Sequence, residues 1–499
     1  MLFKKILIAN RGEIAVRVIR ACRELGIKSA TIYSDADKTT LHTRLADESY
    51  YIGSSPAHES YLNKEKILKL VKEIKADAVH PGYGFFSENS DFIKSLEQNK
   101  ITFIGPSSKS VAVMGTKTEA RKLMSKNKVP IVPGTTEAVK SVKDALNFSK
   151  EIGYPVLLKA SAGGGGKGMR KISNNSEVES AFESTKREAL KAFANDEIYI
   201  EKFIENPRHI EVQIFGDKHG NYVHLFEREC SIQRRHQKII EEAPSSFVDD
   251  ATRQKITSAA INAARACNYF NAGTIEFLMD SKKNFYFLEM NTRLQVEHPV
   301  TELITGLDLV KEQISVAAGN KLSFKQKDLH INGHAIECRI YAEDPFNNSL
   351  PTTGKIINYS EPSGPGVRVD SGFQVGSEIS VHYDPLISKL VCWSEDRESA
   401  INRMLRALNE YIVGGLTTNI SFLKLIINNP AFRAGKFNIN YLNDDFMNGL
   451  DVINKTPSKD NSVKAAAILA SLLKSKSSLT NYKANHTETS NLWQEQMYD

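Results

Sequence analysis

The stretch that decides the fold is Thr274-Ile275-Glu276-Phe277-Leu278-Met279-Asp280, then Ser281–Asn284, then Phe285-Tyr286-Phe287-Leu288-Glu289-Met290-Asn291. Two runs rich in β-forming residues around a short polar segment predict a β-hairpin. A symmetric turn gives one apolar face, on which the predicted cross-strand pairs are Ile275 with Met290, Phe277 with Leu288, and Met279 with Tyr286. On the opposite face, the same register places Glu276 beside Glu289.

The facing pair Glu276 and Glu289 predicts a metal site. Carboxylates about 5 Å apart on neighbouring strands repel each other, so a cation is expected between them. Asn291 lies two residues beyond Glu289, on the same face, and adds an amide oxygen. Such hard oxygen ligands suit Mg²⁺ or Mn²⁺. The alternative is a pair of solvated acids, which the apolar surroundings of Glu289 disfavour.

The residues after the hairpin predict an acid–base site. An extended backbone would place alternate polar side chains in one row: Glu289, Asn291, Arg293, Gln295 and Glu297. A guanidinium beside metal-binding acids can hold a small planar anion through two hydrogen bonds. Glu297 is then placed to accept a proton from that anion.

Composition indicates an ordinary globular protein of several domains. The chain has 499 residues, 41% of them hydrophobic and 25% charged, with a net charge of +6. This charge is too small and too dispersed for a nucleic-acid-binding stripe. The five cysteines show no Cys-x-x-Cys spacing, which favours a reducing compartment and no zinc site. Because neither a signal peptide nor a membrane-spanning run is visible, we expect a cytoplasmic protein without a membrane partner.

The first hundred residues alternate apolar strands with amphipathic helices, the βαβ pattern of a parallel sheet covered on both faces. The turn Asn10–Glu13 lacks the Gly-x-Gly-x-x-Gly of dinucleotide-binding proteins, so NAD is not expected here. The loop His80–Phe85 follows a predicted strand ending at Val79. Ligands of open α/β sheets bind at the carboxyl ends of strands, which makes this loop a candidate wall of the site.

A Gly-rich segment, Ser161–Gly168, lies between two strand-like runs. A strand instead of a helix follows it, so the dinucleotide fingerprint is a poor match, and the Walker A pattern fails at both ends. The segment is interpreted as a mobile lid over phosphates, with Lys159 and Lys167 supplying positive charge. A flexible surface linker is the alternative.

Five motifs together closely resemble biotin carboxylase, the ATP-grasp component of biotin-dependent carboxylases: Asn10–Ala15, His80–Gly84, Lys159–Met169, Glu227–Pro244 and Glu289–Glu302. The resemblance covers about residues 4–450. It implies an α/β and α+β multidomain fold with an N-terminal parallel-sheet domain (1–114), a helical linker (115–130), an ATP-grasp lid (131–204), and an ATP-grasp core with a C-terminal biotin carboxylase domain (205–450). Residues 451–499 are expected to be a tail, helical only around 463–473.

The resemblance also assigns site residues to positions of this sequence. Those expected at ATP are Lys117, Lys159, Gly165, Gly166, Glu201, Lys202, Ile204, His209, Gln233 and His236. Those expected around bicarbonate are Lys238, Arg293, Gln295 and Val296, with Glu297, Arg293 and Lys238 as the catalytic group. Those expected at biotin are Tyr83 and Arg339. The resemblance assigns the metal, two Mg²⁺ or Mn²⁺ ions being expected, to Glu276, Glu289 and Asn291.

The implied reaction is the ATP-dependent carboxylation of biotin by bicarbonate through carboxyphosphate. The sequence has no Met-Lys-Met tripeptide, the landmark of a biotinylated lysine, so a separate carrier protein is expected. A carboxyltransferase partner and a homodimer are implied by the resemblance alone. Two alternatives stay open here: another ATP-grasp ligase joining a carboxylate to an amine, and a non-catalytic nucleotide-binding regulator.

Overall fold

A computed structural model of the chain describes residues 2–135, 137–161, 168–193, 195–235, 237–442 and 446. The predicted tail, with its helix at 463–473, lies outside the described residues. Across the described part of the chain, no helix combines the length and the apolar character needed to cross a membrane. All five cysteines are buried free thiols.

The N-terminal part is a parallel sheet with helices on both faces, as predicted. Its elements are β1 (Lys5–Ile8), α1 (Gly12–Glu24), β2 (Lys28–Ser34), α2 (Leu41–Leu45), β3 (Glu48–Gly53), α3 (Lys64–Glu73), β4 (Ala78–His80), α4 (Ser90–Gln98), β5 (Thr102–Phe103) and α5 (Ser108–Gly115). The strand order is β3-β2-β1-β4-β5. Alternation along β1 explains the layering, because Ile6 and Ile8 pack in the core with α1 while Leu7 packs in the core with α3 and α4.

The loop after β4 is tied to the loop after β1. Asn10 Nδ2 donates hydrogen bonds to the carbonyl oxygens of Pro81 (2.6 Å) and Tyr83 (2.7 Å). Gly82 has φ +62°, and a Cβ there would lie 2.9 Å from Asn10 Nδ2, so only glycine fits without strain. These contacts fix Tyr83 at the carboxyl end of the sheet, where the sequence predicted a wall of the site.

A smaller three-stranded antiparallel sheet follows, in the order β7-β6-β8. Its elements, with the helix that precedes them, are α6 (Lys117–Lys126), α7 (Val142–Ile152), β6 (Val156–Ala160), β7 (Met169–Ile172), α8 (Val178–Phe193) and β8 (Ile198–Lys202). The Gly-rich segment joins β6 to β7, and its residues 162–167 lie outside the described part of the chain. This smaller sheet has a hydrophobic core of its own, which includes Val156, Leu158 and Phe182.

An eight-stranded antiparallel sheet forms the centre. Its first strands and the neighbouring helices are β9 (Arg208–Gly216), β10 (Tyr222–Arg234), β11 (Gln237–Ala243), α9 (Asp250–Ala266), β12 (Asn271–Met279), β13 (Phe285–Asn291), α10 (His298–Thr305) and α11 (Leu309–Ala317). The apolar face of the hairpin β12–β13 shares a core with α9. The other face carries the acids.

The hairpin register agrees with the prediction only as far as Glu276. Ile275 faces Met290 and Glu276 faces Glu289, but a β-bulge follows. The predicted pairing of Phe277 with Leu288 and of Met279 with Tyr286 is therefore wrong, since the structure pairs Phe277 with Phe287 and Met279 with Phe285. The bulge accommodates one extra residue on β13, Leu288, between the partners of Glu276 and Phe277.

The remaining elements complete the central sheet and cover its end. They are β14 (His334–Tyr341), β15 (Glu343–Asp344), β16 (Leu350–Pro351), β17 (Gly354–Lys355), β18 (Asn358–Ser360), β19 (Val367–Ser371), β20 (Glu378–Ile379), β21 (Leu386–Ser394), α12 (Arg397–Glu410), β22 (Ile412–Gly414), α13 (Ile420–Asn428) and α14 (Pro430–Arg433). Strand β11 pairs with β14, β14 with β21, and β21 with β19. The order of the central sheet is therefore β13-β12-β9-β10-β11-β14-β21-β19. Residues far apart in sequence thus share one sheet face.

Candidate active site

The facing carboxylates of the hairpin lie at the bottom of the candidate site. Glu276 on β12 is buried, whereas Glu289 on β13 is exposed to the cleft. Burial would raise the pKa of Glu276, but the charges of Lys238 and His209 lower it well below its usual range. Loss of hydration, and then the charge of Glu276, raise the pKa of Glu289. The two acids repel each other, as the sequence predicted.

The three predicted metal ligands come together. Asn291 Nδ2 donates to Glu276 Oε1 at 2.8 Å, and Asn291 Oδ1 accepts from Arg293 Nη2 at 3.2 Å. Gln295 Nε2 also donates to Glu276 Oε1, at 3.2 Å. Glu289 has neither a hydrogen bond nor an ion pair within the described ranges. An unpartnered carboxylate beside a second carboxylate and an amide oxygen fits Mg²⁺ or Mn²⁺.

Lys238, on β11, joins three carboxylates from three elements. Its Nζ lies 2.5 Å from Glu211 Oε2, 2.9 Å from Glu276 Oε1 and 2.6 Å from Glu297 Oε1. Burial alone would lower the pKa of Lys238, but these three charges raise it well above its usual value. Lys238 therefore stays protonated, and it links the hairpin to the segment before α10.

Glu297 is fully buried between two cations. Lys238 donates to Oε1, and Arg339 Nη2 donates to Oε2 at 3.0 Å. Burial would raise the pKa of Glu297, but Lys238, Arg339 and Arg228 together lower it well below its usual value. Arg339 Nε also donates to Glu241 Oε1 at 2.6 Å, so one guanidinium joins two acids.

The predicted polar row from Glu289 to Glu297 in extended backbone is wrong. Strand β13 ends at Asn291, and Glu297 directly precedes helix α10 with φ −81° and ψ 13°. Pro299 lies in the first turn of that helix, which is a favoured position for proline. The chain turns, and this turn, not strand alternation, brings Glu297 to Lys238.

Arg293 has a partner that the sequence did not predict. Its Nε donates to Glu88 Oε2 at 2.8 Å, and its Nη1 donates to Gln295 Oε1 at 3.0 Å. Glu88 also accepts from the backbone N–H of Thr292 at 2.9 Å. Glu88 lies 204 residues before Thr292, so no local pattern could have identified it. Val296, expected at bicarbonate, accepts from Lys389 Nζ at 2.9 Å through its carbonyl oxygen.

On the opposite side of the cleft, one of the two lysines expected at phosphates is paired with an acid. Lys159 Nζ lies 2.6 Å from Glu201 Oε2, and Arg121 pairs with the other oxygen of Glu201. Arg121 is a second residue that sequence reasoning missed. Burial lowers the pKa of Lys117, against the opposing charge of Glu289. Lys117 is thus close enough to Glu289 for the two charges to act on each other across the cleft.

The other residues predicted at the nucleotide lie in different surroundings. His209 Nε2 lies 3.0 Å from Glu276 Oε2, and Gln233 Nε2 lies 3.0 Å from His209 Nδ1, which places both beside the hairpin. The Lys202 side chain instead donates to the carbonyls of Gly153 (3.0 Å) and Tyr154 (2.9 Å), so only its backbone remains for a ligand. Ile204 follows β8 and is half-buried. Three predicted positions lie outside the described residues: Gly165, Gly166 and His236.

Tyr83 and Arg228 complete the surroundings of the site. Tyr83, expected at biotin, donates its hydroxyl to Glu13, and its pKa is raised well above the usual value by burial and by that carboxylate. Arg228 is fully buried and donates to Glu211, to Gln213 and to two threonines, Thr274 and Thr301. It holds β9, β10, β12 and α10 together behind Lys238, and sequence reasoning missed it.

Family models match three consecutive parts of the chain. Residues 2–111 match the biotin carboxylase N-terminal domain, residues 116–325 the ATP-binding domain of the carbamoyl-phosphate synthase L chain, and residues 337–444 the biotin carboxylase C-terminal domain.

Solved structures of biotin carboxylases are similar to most of the chain. The biotin carboxylase domain dimer of Hydrogenobacter thermophilus 2-oxoglutarate carboxylase, in complex with MgADP, ADP and bicarbonate, has a TM-score of 0.85 at 50% identity, covering 89% of this chain and 97% of that one. Campylobacter jejuni biotin carboxylase has a TM-score of 0.85 at 46% identity, covering 88% and 98%.

Curated relatives are similar over most of the chain. Biotin carboxylase 2 of Bacillus subtilis is 53% identical over 88% of this chain and 99% of its own length. The human mitochondrial propionyl-CoA carboxylase α chain is 52% identical over 93% of this chain, which spans only 64% of that relative. The chain belongs to the biotin carboxylase family.

Proposed function

We propose that the protein is a biotin carboxylase, a ligase that uses ATP and bicarbonate to carboxylate biotin held on a carrier protein. One observation carries the proposal beyond family membership. A fully buried carboxylate, Glu297, lies between Lys238 and Arg339 and is connected through Lys238 to the hairpin acid Glu276. The proposed proton acceptor, the arginine proposed for biotin and one proposed metal ligand are thus joined in one hydrogen-bonded cluster.

Bicarbonate binding is assigned to the cationic side of this cluster. Arg293, Lys238, Gln295 and the backbone at Val296 supply donors for a small planar anion, and the fork of Arg293 can bind two of its oxygens. Glu88, 2.8 Å from Arg293 Nε, holds the guanidinium in position from its other side.

Glu297 removes the proton from bicarbonate in this scheme. A carboxylate whose pKa is held far below its usual range by two cations is a weak base. When Lys238 turns toward the bound anion, Glu297 loses part of that stabilisation, and its pKa rises toward the value that a base requires. The lysine thus favours the deprotonated substrate and activates the base in the same movement.

The deprotonated anion attacks the γ-phosphorus of ATP, and carboxyphosphate and ADP result. Lys117 and Lys159 neutralise phosphate charge, and the lid excludes water that would hydrolyse the intermediate. Glu276, Glu289 and Asn291 would hold Mg²⁺ or Mn²⁺, which when bound supplies further charge neutralisation at the phosphates. Carboxyphosphate breaks down to carbon dioxide and phosphate. The phosphate takes the proton of the biotin ureido nitrogen, and Arg339 stabilises the resulting anion, with Tyr83 beside it. That anion attacks the carbon dioxide, and carboxybiotin forms.

Partners follow from the same proposal. The biotin comes on a carboxyl carrier protein, and the carboxyl group passes to a carboxyltransferase that selects acetyl-CoA, another acyl-CoA or pyruvate. A homodimer is supported by the dimer in the Hydrogenobacter thermophilus structure. A cytoplasmic location stays a prediction from the sequence.

Steady-state ATP hydrolysis tests the proposal. Hydrolysis should require bicarbonate and should rise when free biotin is added, with carboxybiotin as a product. Equal hydrolysis with and without bicarbonate would instead support a ligase that joins a carboxylate to an amine. Nucleotide binding without any turnover would support a regulatory protein.

A further inference from the structure

Behind Arg339 lie two acids that the proposed reaction does not use. Glu241 on β11 and Glu337 on β14 are directly facing residues of neighbouring antiparallel strands. Both side chains are fully buried, with no exposed surface. Facing residues in such a ladder have Cβ atoms about 5 Å apart, so the two carboxyl groups are neighbours.

Three of the four carboxyl oxygens in this pair have no hydrogen-bond donor among the described residues. They are Glu241 Oε2 and both oxygens of Glu337. The fourth, Glu241 Oε1, accepts from Arg339 Nε at 2.6 Å. A buried carboxylate without donors is strongly destabilised, so such a group takes up a proton instead. A proton on Glu337 also gives it a donor for the free Glu241 oxygen.

Within the described chain no cation forms an ion pair or a hydrogen bond with Glu337, although the charges of Lys389 and Arg339 lower its pKa against the effect of burial. Lys389 on β21 is committed elsewhere, since its Nζ donates to the Val296 carbonyl and lies 3.3 Å from Glu13 and 3.6 Å from Asp370. Burial raises the pKa of Glu337 well above its usual value, and burial, opposed by Arg339, raises the pKa of Glu241 to about 7. The other titratable groups acting on the pair are Lys238, Arg339, Glu297, Cys230, Cys338 and Tyr341.

We propose that Glu241 and Glu337 share one proton, and that the single negative charge left on Glu241 makes it a positioning residue for Arg339. Glu241 holds Nε while Nη2 reaches Glu297, so the guanidinium plane is fixed at two points. When Glu297 becomes protonated during turnover, Arg339 loses the charge of that partner. Glu241 then keeps the guanidinium in place for the anionic biotin. The inference rests on the proposed function only for this last step.

Infrared spectroscopy tests the shared proton without any turnover. At neutral pH, the difference spectrum between the wild type and Glu337→Gln should contain the carbonyl band of a protonated carboxylic acid. The substitution replaces an O–H donor with an N–H donor, so the variant should fold and remain active. A difference spectrum without that band overturns the inference.

Kinetics test the positioning role. Glu241→Gln should lower biotin carboxylation on the order of tenfold or more, the loss expected for one charge-assisted hydrogen bond, with the KM for ATP unchanged. Glu337→Gln should stay within about threefold of the wild type, a difference under about 1 kcal/mol. The carboxylation rate of Glu337→Gln should also persist to higher pH than that of the wild type. In the wild type, loss of the shared proton leaves both acids charged, and this cannot happen when Glu337 is replaced. The inference is wrong if Glu337→Gln is as slow as Glu241→Gln. It is also wrong if the alkaline limb of the pH–rate profile is the same in Glu337→Gln and in the wild type.

Glu242→Gln is the matched control. Glu242 is the next residue on β11, is equally buried, and pairs with His334 (3.1 Å) and Arg397 (2.7 Å) away from Arg339. Its substitution should reduce stability and leave turnover per folded molecule unchanged. Slow carboxylation in this variant would show that any lost acid on β11 has the same effect, and would overturn the positioning role. If the wild type itself lacks bicarbonate-dependent hydrolysis, the proposed function fails, while the infrared result still decides the shared proton.

Discussion

Replacing Glu297 with glutamine removes the proposed base with little change of shape. The side chain is fully buried, and its two oxygens accept from Lys238 at 2.6 Å and Arg339 at 3.0 Å. Neither cation is left unpaired by the substitution. Lys238 keeps Glu211 and Glu276, and Arg339 keeps Glu241. We therefore expect the fold to survive.

The expected magnitudes separate stability from chemistry. Weakening the charge-assisted hydrogen bonds of Glu297 should cost about 1.5–3 kcal/mol of folding free energy. Loss of a general base lowers turnover by about 10²–10⁴, equivalent to about 3–5 kcal/mol in the activation barrier. ATP binding should be nearly unchanged, because the lysines expected at the phosphates are Lys117 and Lys159.

The assay compares bicarbonate-dependent ATP hydrolysis with ATP affinity measured by calorimetry. Glu302→Gln is a suitable control, since Glu302 lies in helix α10, which directly follows Glu297, and accepts from Arg17 (2.9 Å) and Arg368 (2.7 Å), not from Lys238. This variant should melt at a lower temperature with turnover retained. Turnover of Glu297→Gln within about threefold of the wild type would refute a base at this position.

Three further variants probe other parts of the site and the fold. Glu289→Gln should raise the Mg²⁺ concentration for half-maximal hydrolysis about tenfold, because its unpartnered charge is lost; an unchanged Mg²⁺ titration would contradict the metal assignment. Lys159→Met should raise the KM for ATP about tenfold or more, measured in the same assay, with an unaltered KM counting against phosphate contact. Glu242→Gln should be about 3 kcal/mol less stable at pH 7, since burial is outweighed by His334 and Arg397, which lower the pKa of Glu242 to about 2. Because the folded pKa is below the unfolded one, denaturant titrations should show this difference disappearing as the pH falls from about 4.5 to about 2, and a pH-independent difference would contradict the linkage.

Sequence periodicity predicted the parts of the site that lie within one hairpin. Strand alternation placed Glu276, Glu289 and Asn291 on one face, and the structure brings them together. The β-bulge after Glu276 was not predictable, because a polar turn does not show how many residues each strand contributes. This error changed the predicted cross-strand partners of Phe277 and Met279 on the apolar face, and it left the facing pair of Glu276 and Glu289 unchanged.

The position of Glu297 was mispredicted although its signal was present. Proline in the first turn is a helix-start signal, and Pro299 would have predicted a helix that begins directly after Glu297. Glu88, Arg121 and Arg228 are a different case. Their partners lie on other elements of the chain, and only the tertiary fold brings those elements together.

The transfer of oxygen from bicarbonate to phosphate tests the central claim most directly. If the anion held near Arg293 and Glu297 attacks the γ-phosphorus, turnover with heavy-oxygen bicarbonate should place one labelled oxygen in each inorganic phosphate released. Mass spectrometry of the phosphate measures this. Unlabelled phosphate formed at the full rate would show that water, not bicarbonate, is the nucleophile, and would contradict the proposed mechanism.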